Sequence, residues 1–154
     1  MNLIRLALPL LLCGATLAAC GHPAGAGRSR SDANPGLAIA AAKDMLGVPY
    51  HYGGQSPSRG FDCSGLVVFS FEKAGIPVPR TTYQQFRSSR PVKRARMQAG
   101  DLVFFRISRS RISHVGIYLG DNRFIHAPSS GKRVSIDRLD DPYWAKRFVR
   151  AGRV

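Results

Sequence analysis

Residues 60–67 read Gly60-Phe61-Asp62-Cys63-Ser64-Gly65-Leu66-Val67, a loop that turns into an apolar helix with a cysteine at the junction. Asp62 is a favoured N-cap residue. Behind it Cys63, Leu66, Val67, Ser70, Phe71 and Ala74 recur at the spacing of one helix face. Val68 and Phe69 are apolar as well, so this helix is predicted to be buried on most sides, with Gly75 and Pro77 ending it. A cysteine in the first turn sits among unpaired backbone N–H groups at the positive end of the helix dipole, which favours thiolate over thiol. Such sites bring a thiol pKa from about 8.5 down to roughly 3.5–7.5, and the thiolate is the nucleophile. The junction therefore favours a cysteine hydrolase.

The elements around this helix suggest what it packs on. An alanine-rich stretch, Leu37 to Leu46, is predicted helical with Gly47 as its stop, and Thr81 caps a short helix through Ser88. Strand signals fill the C-terminal half: Asp101 to Phe105, His114 to Leu119, Arg123 to His126, a shorter Arg133 to Ile136, and Arg147 to Val154. Helices first and short strands later, closely connected, argue an α+β domain with an antiparallel sheet.

Two histidines lie in consecutive predicted strands. Alternation puts Ile112, His114, Gly116 and Tyr118 on one face and Ser113, Val115, Ile117 and Leu119 on the other. Phe124 and His126 share a face in the next strand, and Gly120-Asp121-Asn122 is a hairpin signal between the two. With all three residues in the loop, Leu119 pairs with Arg123, Ile117 with Ile125 and Gly116 with His126. His126 is then a diagonal neighbour of His114, within imidazole reach, and Gly116 leaves room between them. In the hydrolase reading Cys63 is the nucleophile, His114 its base and later acid, His126 the group that orients His114, and the Cys63 backbone N–H an oxyanion donor. The bland alternative for each histidine is a structural residue, the role left to His22 and His51. Cys63, His114 and His126 are also zinc-type ligands, but no fourth ligand and no close ligand pair accompanies them.

The first residues have the order of a secretory signal: Arg5, the apolar run Leu6 to Leu12, then Leu17-Ala18-Ala19-Cys20. The run is too short to span a bilayer, which takes about 20 apolar residues. Leu-Ala-Ala-Cys resembles the lipobox of bacterial lipoproteins, which implies cleavage before Cys20 and lipid on its sulfur; ordinary secretion with an incidental Cys20 is the other reading. His22 does not match the aspartate associated with inner-membrane retention, which favours an outer-membrane location facing the periplasm. Cys13 leaves with the signal, so Cys63 is then the one thiol remaining, and an unpaired thiol in an oxidising compartment suggests reactive use. The expected organisation is a signal at 1–19, a lipidated tether rich in Gly, Ala, Ser, Arg and Pro at 20–35, and one domain at 36–154. Lys and Arg number 23 against 9 Asp and Glu, a formal net charge of +14. That balance favours anionic partners such as wall polymer or lipid head groups, or is simply a solvated surface; export and the lack of interleaved aromatics argue against nucleic acid.

Taken together, Gly47-Val48-Pro49-Tyr50-His51-Tyr52-Gly53-Gly54, Phe61-Asp62-Cys63-Ser64-Gly65-Leu66-Val67, Pro79-Arg80-Thr81, Ala99-Gly100-Asp101-Leu102-Val103-Phe104-Phe105, Ser113 to Gly120, Phe124-Ile125-His126-Ala127-Pro128 and Tyr143 to Phe148 resemble the NlpC family of papain-like cell-wall peptidases. Ala99 stands where that family usually has proline. The resemblance implies a papain-like fold with the cysteine helix packed on an antiparallel sheet, a Cys63–His114–His126 triad, and Tyr50 beside it. Tyr50, Ser64 and Arg80 are the expected substrate-binding or oxyanion residues, with Tyr50, Arg80 and the Arg106–Ile112 loop shaping specificity. The implied activity is a murein endopeptidase, cutting peptidoglycan stem peptides at D,D cross-links or between γ-D-Glu and diaminopimelate, without cofactor or metal and as a monomer. A non-hydrolytic wall-binding module and a cysteine amidase or acyltransferase on lipids or small amides stand as alternatives. A secreted toxin is disfavoured by the lipobox.

Overall fold

The computed structural model describes residues 34–107 and 111–154. The predicted signal, Cys20 and nearly all of the tether lie outside them. Helix α1 (Pro35–Lys43) is capped by Asn34, whose side chain accepts from the Gly36 N–H, and ends earlier than predicted, in turns that reach Gly47 at φ +81°. A short antiparallel hairpin follows, β1 (Gln55–Ser56) with β2 (Gly60–Phe61). Helix α2 (Cys63–Lys73) begins at the cysteine with Asp62 as N-cap, and α3 (Thr82–Ser88) is capped by Thr81.

The remaining strands are β3 (Arg90–Val92), β4 (Leu102–Phe105), β5 (His114–Gly120), β6 (Arg123–His126), β7 (Ser135–Arg138) and β8 (Phe148–Arg153), with α4 (Pro142–Ala145) between the last two. They form a six-stranded antiparallel sheet in the order β3-β8-β4-β5-β6-β7. Helices α1 and α2 cover one face, where Leu66, Val67 and Phe71 pack with Leu102, Phe104, Val115, Ile117 and Ile125. The other face carries Val103, Phe105, Tyr118 and Phe124 under Leu139 and Trp144. Strands sandwiched between two apolar layers explain why β4 is buried at all four residues.

Three predictions about the strands change. Strand β7 starts at Ser135 and runs on to Arg138; Arg133 forms only an isolated bridge with Pro49, where the chain crosses back to the loop before β1. Ile112 packs on the helix side rather than with His114, because β5, and with it the strand alternation, starts only at His114. The β5–β6 turn is two residues, Asp121 and Asn122, both at positive φ (50° and 58°), and not three. A bulge between Tyr118 and Gly120 places Gly120 rather than Leu119 opposite Arg123. The extra residue in the bulge restores the register that the shorter turn would have shifted, so Ile117 pairs with Ile125 as expected.

Candidate active site

The N-terminus of α2 is held by Asp62. Its Oδ1 accepts from the Gly65 N–H at 2.6 Å and the Ser64 hydroxyl at 3.1 Å, and its Oδ2 from the Gly53 N–H at 3.0 Å. Arg80 donates to both oxygens, at 3.0 and 2.7 Å, and to Ser64 Oγ at 2.9 Å. Ser64 and Arg80, expected at a substrate or oxyanion position, are thus tied to the helix cap, and Ser64 is buried. Gly65 has no alternative residue: a Cβ there would lie 2.0 Å from the Gly54 carbonyl oxygen.

The Cys63 thiol meets Thr82 Oγ1 at 3.5 Å, and the backbone N–H groups of Val115 and Ser64 also reach the sulfur. Val115 is the second residue of β5, so the thiol lies against the start of that strand. No hydrogen bond joins the thiol to either imidazole in this state. Burial pushes the thiol pKa up, and the nearby Asp62 charge adds to this; Thr82 and the two N–H groups oppose it without cancelling it. The downward shift expected from helix position alone is therefore reversed, because the sulfur loses more hydration against the sheet than the N–H groups replace. Tyr50 packs at the edge of the same core, its phenol pKa raised by burial and then by the Cys63 and Asp62 charges.

His114 and His126 are brought together as the strand register requires, with His114 Nε2 and His126 Nδ1 2.8 Å apart. Both rings are buried and face the Trp144 layer. Desolvation holds His114 well below the usual imidazole range, with His126 adding to it, and lowers His126 against the opposing pull of Asp137. Both His126 nitrogens are engaged, Nδ1 with His114 Nε2 and Nε2 with Asp137 at 3.0 Å.

The sequence reading missed Thr82, Asp137 and Trp144 at this site. Asp137 is a diagonal neighbour of His126 across β6–β7, where Phe124 pairs with Asp137 and His126 with Ser135. Ending the strand prediction at Ile136 left it out by one residue. Strand alternation from Ser135 would have found it.

A partly exposed cysteine at a helix N-terminus, set against an antiparallel sheet that carries a histidine pair on adjacent strands, defines the class of papain-like α+β folds. The chain belongs to the NlpC/P60 family, whose model matches residues 47–153. It is 38% identical over 141 residues to murein DD-endopeptidase MepH of Escherichia coli, covering 89% of this chain and 52% of that protein. It is 46% identical over 112 residues to murein DD-endopeptidase MepS/murein LD-carboxypeptidase of the same species, covering 72% of this chain and 58% of that one. A crystal structure of a lipoprotein-like NLP/P60 family protein from Staphylococcus aureus superposes with a TM-score of 0.72 at 36% identity, over 78% of this chain and 41% of that one. The chain spans about half the length of the curated relatives it matches.

Proposed function

We propose that this protein is a cysteine peptidase that hydrolyses stem-peptide bonds of peptidoglycan, with Cys63 as nucleophile, His114 as base and acid, and His126 as the residue that orients His114. The observation that carries this reading is the seating of the Cys63 thiol against the Val115 N–H of β5, the strand whose first residue, His114, has its imidazole hydrogen-bonded at 2.8 Å to that of His126. Family membership and the names of the murein endopeptidase relatives support the substrate class. His114 takes the thiol proton as the sulfur attacks the carbonyl carbon. The Cys63 N–H stabilises the resulting oxyanion. His114 then gives the proton to the departing amine as the C–N bond breaks, leaving a thioester. Water, deprotonated by His114, attacks the thioester and releases the new carboxyl group and the thiol. The raised thiol and lowered imidazole pKa values mean that the resting pair is neutral, so the proton moves as the sulfur attacks. Tyr50 borders the site and is placed to meet the substrate; Ser64 and Arg80 act through the Asp62 cap.

The D,D cross-link is the bond favoured here, by likeness to the two named DD-endopeptidases, with the γ-D-Glu–diaminopimelate bond as the other choice. Peptidoglycan is the partner, and the protein acts in the cell envelope. We place it on the outer membrane facing the periplasm, lipid-anchored through Cys20 after removal of residues 1–19, and acting as a monomer. Intact mass of detergent-extracted protein tests the anchor: a chain starting at Cys20 with added acyl mass supports it, and an unmodified Cys20 refutes it.

Purified protein and its Cys63→Ala variant are incubated with sacculi and defined muropeptides, and products are read by mass spectrometry. Dimers falling to monomers indicate D,D cleavage; stems losing diaminopimelate–D-Ala indicate the D,L bond. Equal product from Cys63→Ala would overturn the mechanism, and no product from a folded wild-type protein would overturn the substrate class.

A further inference from the structure

The reaction above uses His114 and His126 and leaves their neighbour Asp137 without a role. Its Oδ2 lies 3.0 Å from His126 Nε2, within hydrogen-bond reach, and accepts from Trp144 Nε1–H at 2.8 Å. The same tryptophan stacks on His114 at 5.4 Å between ring centres and meets His126 edge-on at 4.9 Å. One α4 side chain therefore bounds both imidazoles and fixes the carboxylate that ends their hydrogen-bonded run.

We propose that Asp137 is a positioning residue that sets the tautomers of both imidazoles and so leaves His114 Nδ1 as the basic nitrogen for Cys63. This deepens, and rests on, the reading of His114 as the base. The hydrogen bond from His126 lowers the Asp137 pKa, so the group is an ionised, acceptor-only carboxylate near neutral pH. His126 must then carry its proton on Nε2, and its Nδ1 holds a lone pair. That lone pair accepts from His114 Nε2–H at 2.8 Å, which leaves the lone pair of His114 on Nδ1. Were His126 protonated on Nδ1 instead, His114 Nε2 would have to accept, and its Nδ1 would already hold the proton it needs to take. A carboxylate two hydrogen bonds away thus decides which atom of His114 is the base.

Charge works in the same direction. The His114 imidazolium formed during attack is buried, and Asp137 is the anion that favours it. Among the described residues the other charged group that acts on both Asp137 and His126 is Lys132, which favours the Asp137 anion and opposes an imidazolium. Arg138 and Asp140, next along the chain, are paired with each other at 2.6 Å. The outer edge of Asp137 opens on a cavity of about 840 Å³ lined by Ile107, Pro128, Lys132, Asp141, Tyr143 and Trp144, so water solvates the carboxylate and keeps it ionised. Cys63 is not among the walls of that cavity.

The test uses Asp137→Asn, which retains an oxygen for both donors but loses the charge, and Asp137→Ala, which loses the acceptor. Asp140→Asn serves as the control. Imidazole ¹⁵N spectra of each variant in Cys63→Ala protein report tautomer and protonation without any dependence on activity. Steady-state cleavage of muropeptides by the same variants with Cys63 intact reports kcat and KM separately. In the parent protein His126 is expected as the Nε2–H form. Asp137→Ala is expected to populate the Nδ1–H form and to lower kcat by about 10- to 100-fold, the size of effect seen when the carboxylate behind a metal-bound histidine is lost, with KM little changed. Asp137→Asn is expected to keep the tautomer, shift protonation of the histidine pair to lower pH and lower kcat by about tenfold. Unchanged spectra in Asp137→Ala, or altered spectra with kcat intact, would overturn the proposal. A wild-type protein inactive on every muropeptide would sink the peptidase reading, while the spectra would still decide whether Asp137 sets the two rings.

Discussion

Gly116→Ala isolates how closely the histidine pair depends on strand packing. Gly116 lies on β5 two residues after His114, on the same face. A Cβ built there would lie 2.6 Å from Phe124 Cδ2, 3.0 Å from the Ile125 carbonyl oxygen and 3.3 Å from His126 Cβ. Ordinary contact begins at 3.4 Å, so the Phe124 ring must retreat by 0.8 Å and the β6 backbone by 0.4 Å. Phe124 is fully buried against Phe105 and Trp144, with ring centres 5.0 and 5.2 Å away, and has nowhere to go without moving the layer that holds the imidazoles. Overpacking of this kind costs about 1–3 kcal/mol, from which the lower flexibility of alanine returns roughly 0.5–1 kcal/mol. The net loss is about 1–2 kcal/mol, a Tm decrease of roughly 3–8 °C for a domain of this size. The functional effect is larger than the stability effect, because misplacing a catalytic group by about 1 Å costs on the order of 100-fold; a 10- to 100-fold fall in kcat/KM on muropeptides is expected. Gly120→Ala separates the two effects. Gly120 sits at φ +96° with nothing within 4 Å, so alanine there is strained by roughly 1–3 kcal/mol without touching either histidine. It should lower Tm comparably and leave kcat/KM within about twofold of wild type. Wild-type kcat/KM in Gly116→Ala, or equal losses in both variants, would refute the reasoning.

Acid should destabilise the fold before any carboxylate titrates. His114 and His126 are held below the unfolded value of 6.5 by desolvation, so below that pH the unfolded chain takes up protons that the folded chain refuses. Their contribution is complete above about pH 6.5 and is lost below it, at up to about 1.4 kcal/mol per pH unit for each histidine. Asp137, also lowered, adds a loss only as pH falls below its unfolded 3.8 and through its folded value. Melting curves should show Tm falling from about pH 6.5 to pH 5, with a shallower slope in His114→Gln; a Tm that rises on acidification over that range contradicts the assignment. Asp62→Ala removes the α2 cap and should cost about 1–2 kcal/mol in urea denaturation. The Arg80 ion pair adds little to that figure, because the Arg80 side chain is 35% exposed. A loss under about 0.5 kcal/mol would mean that the cap is replaced locally.

Much of this site is legible along the chain. Asp62 before an apolar 3.6-residue repeat fixes a helix that starts at Cys63, and the alternation in His114–Tyr118 and Phe124–His126 puts both imidazoles on one face. These are local properties: each follows from how neighbouring residues share a helix turn or a pleat. The bulge at Leu119 was hidden because a three-residue loop and a two-residue turn plus a bulge leave the same pairing of Ile117 with Ile125. Thr82 on the sulfur lies 19 residues from Cys63, Asp137 lies 11 residues from His126, and Trp144 over both rings lies 18 residues from His126 and 30 from His114. Which strand lies beside which, and how deeply the thiol is desolvated against β5, depend on the closed three-dimensional packing. The sequence alone therefore singled out the candidate reacting groups and their faces, while their protonation depends on the tertiary structure, because pKa and tautomer answer to burial and to partners that only folding brings near.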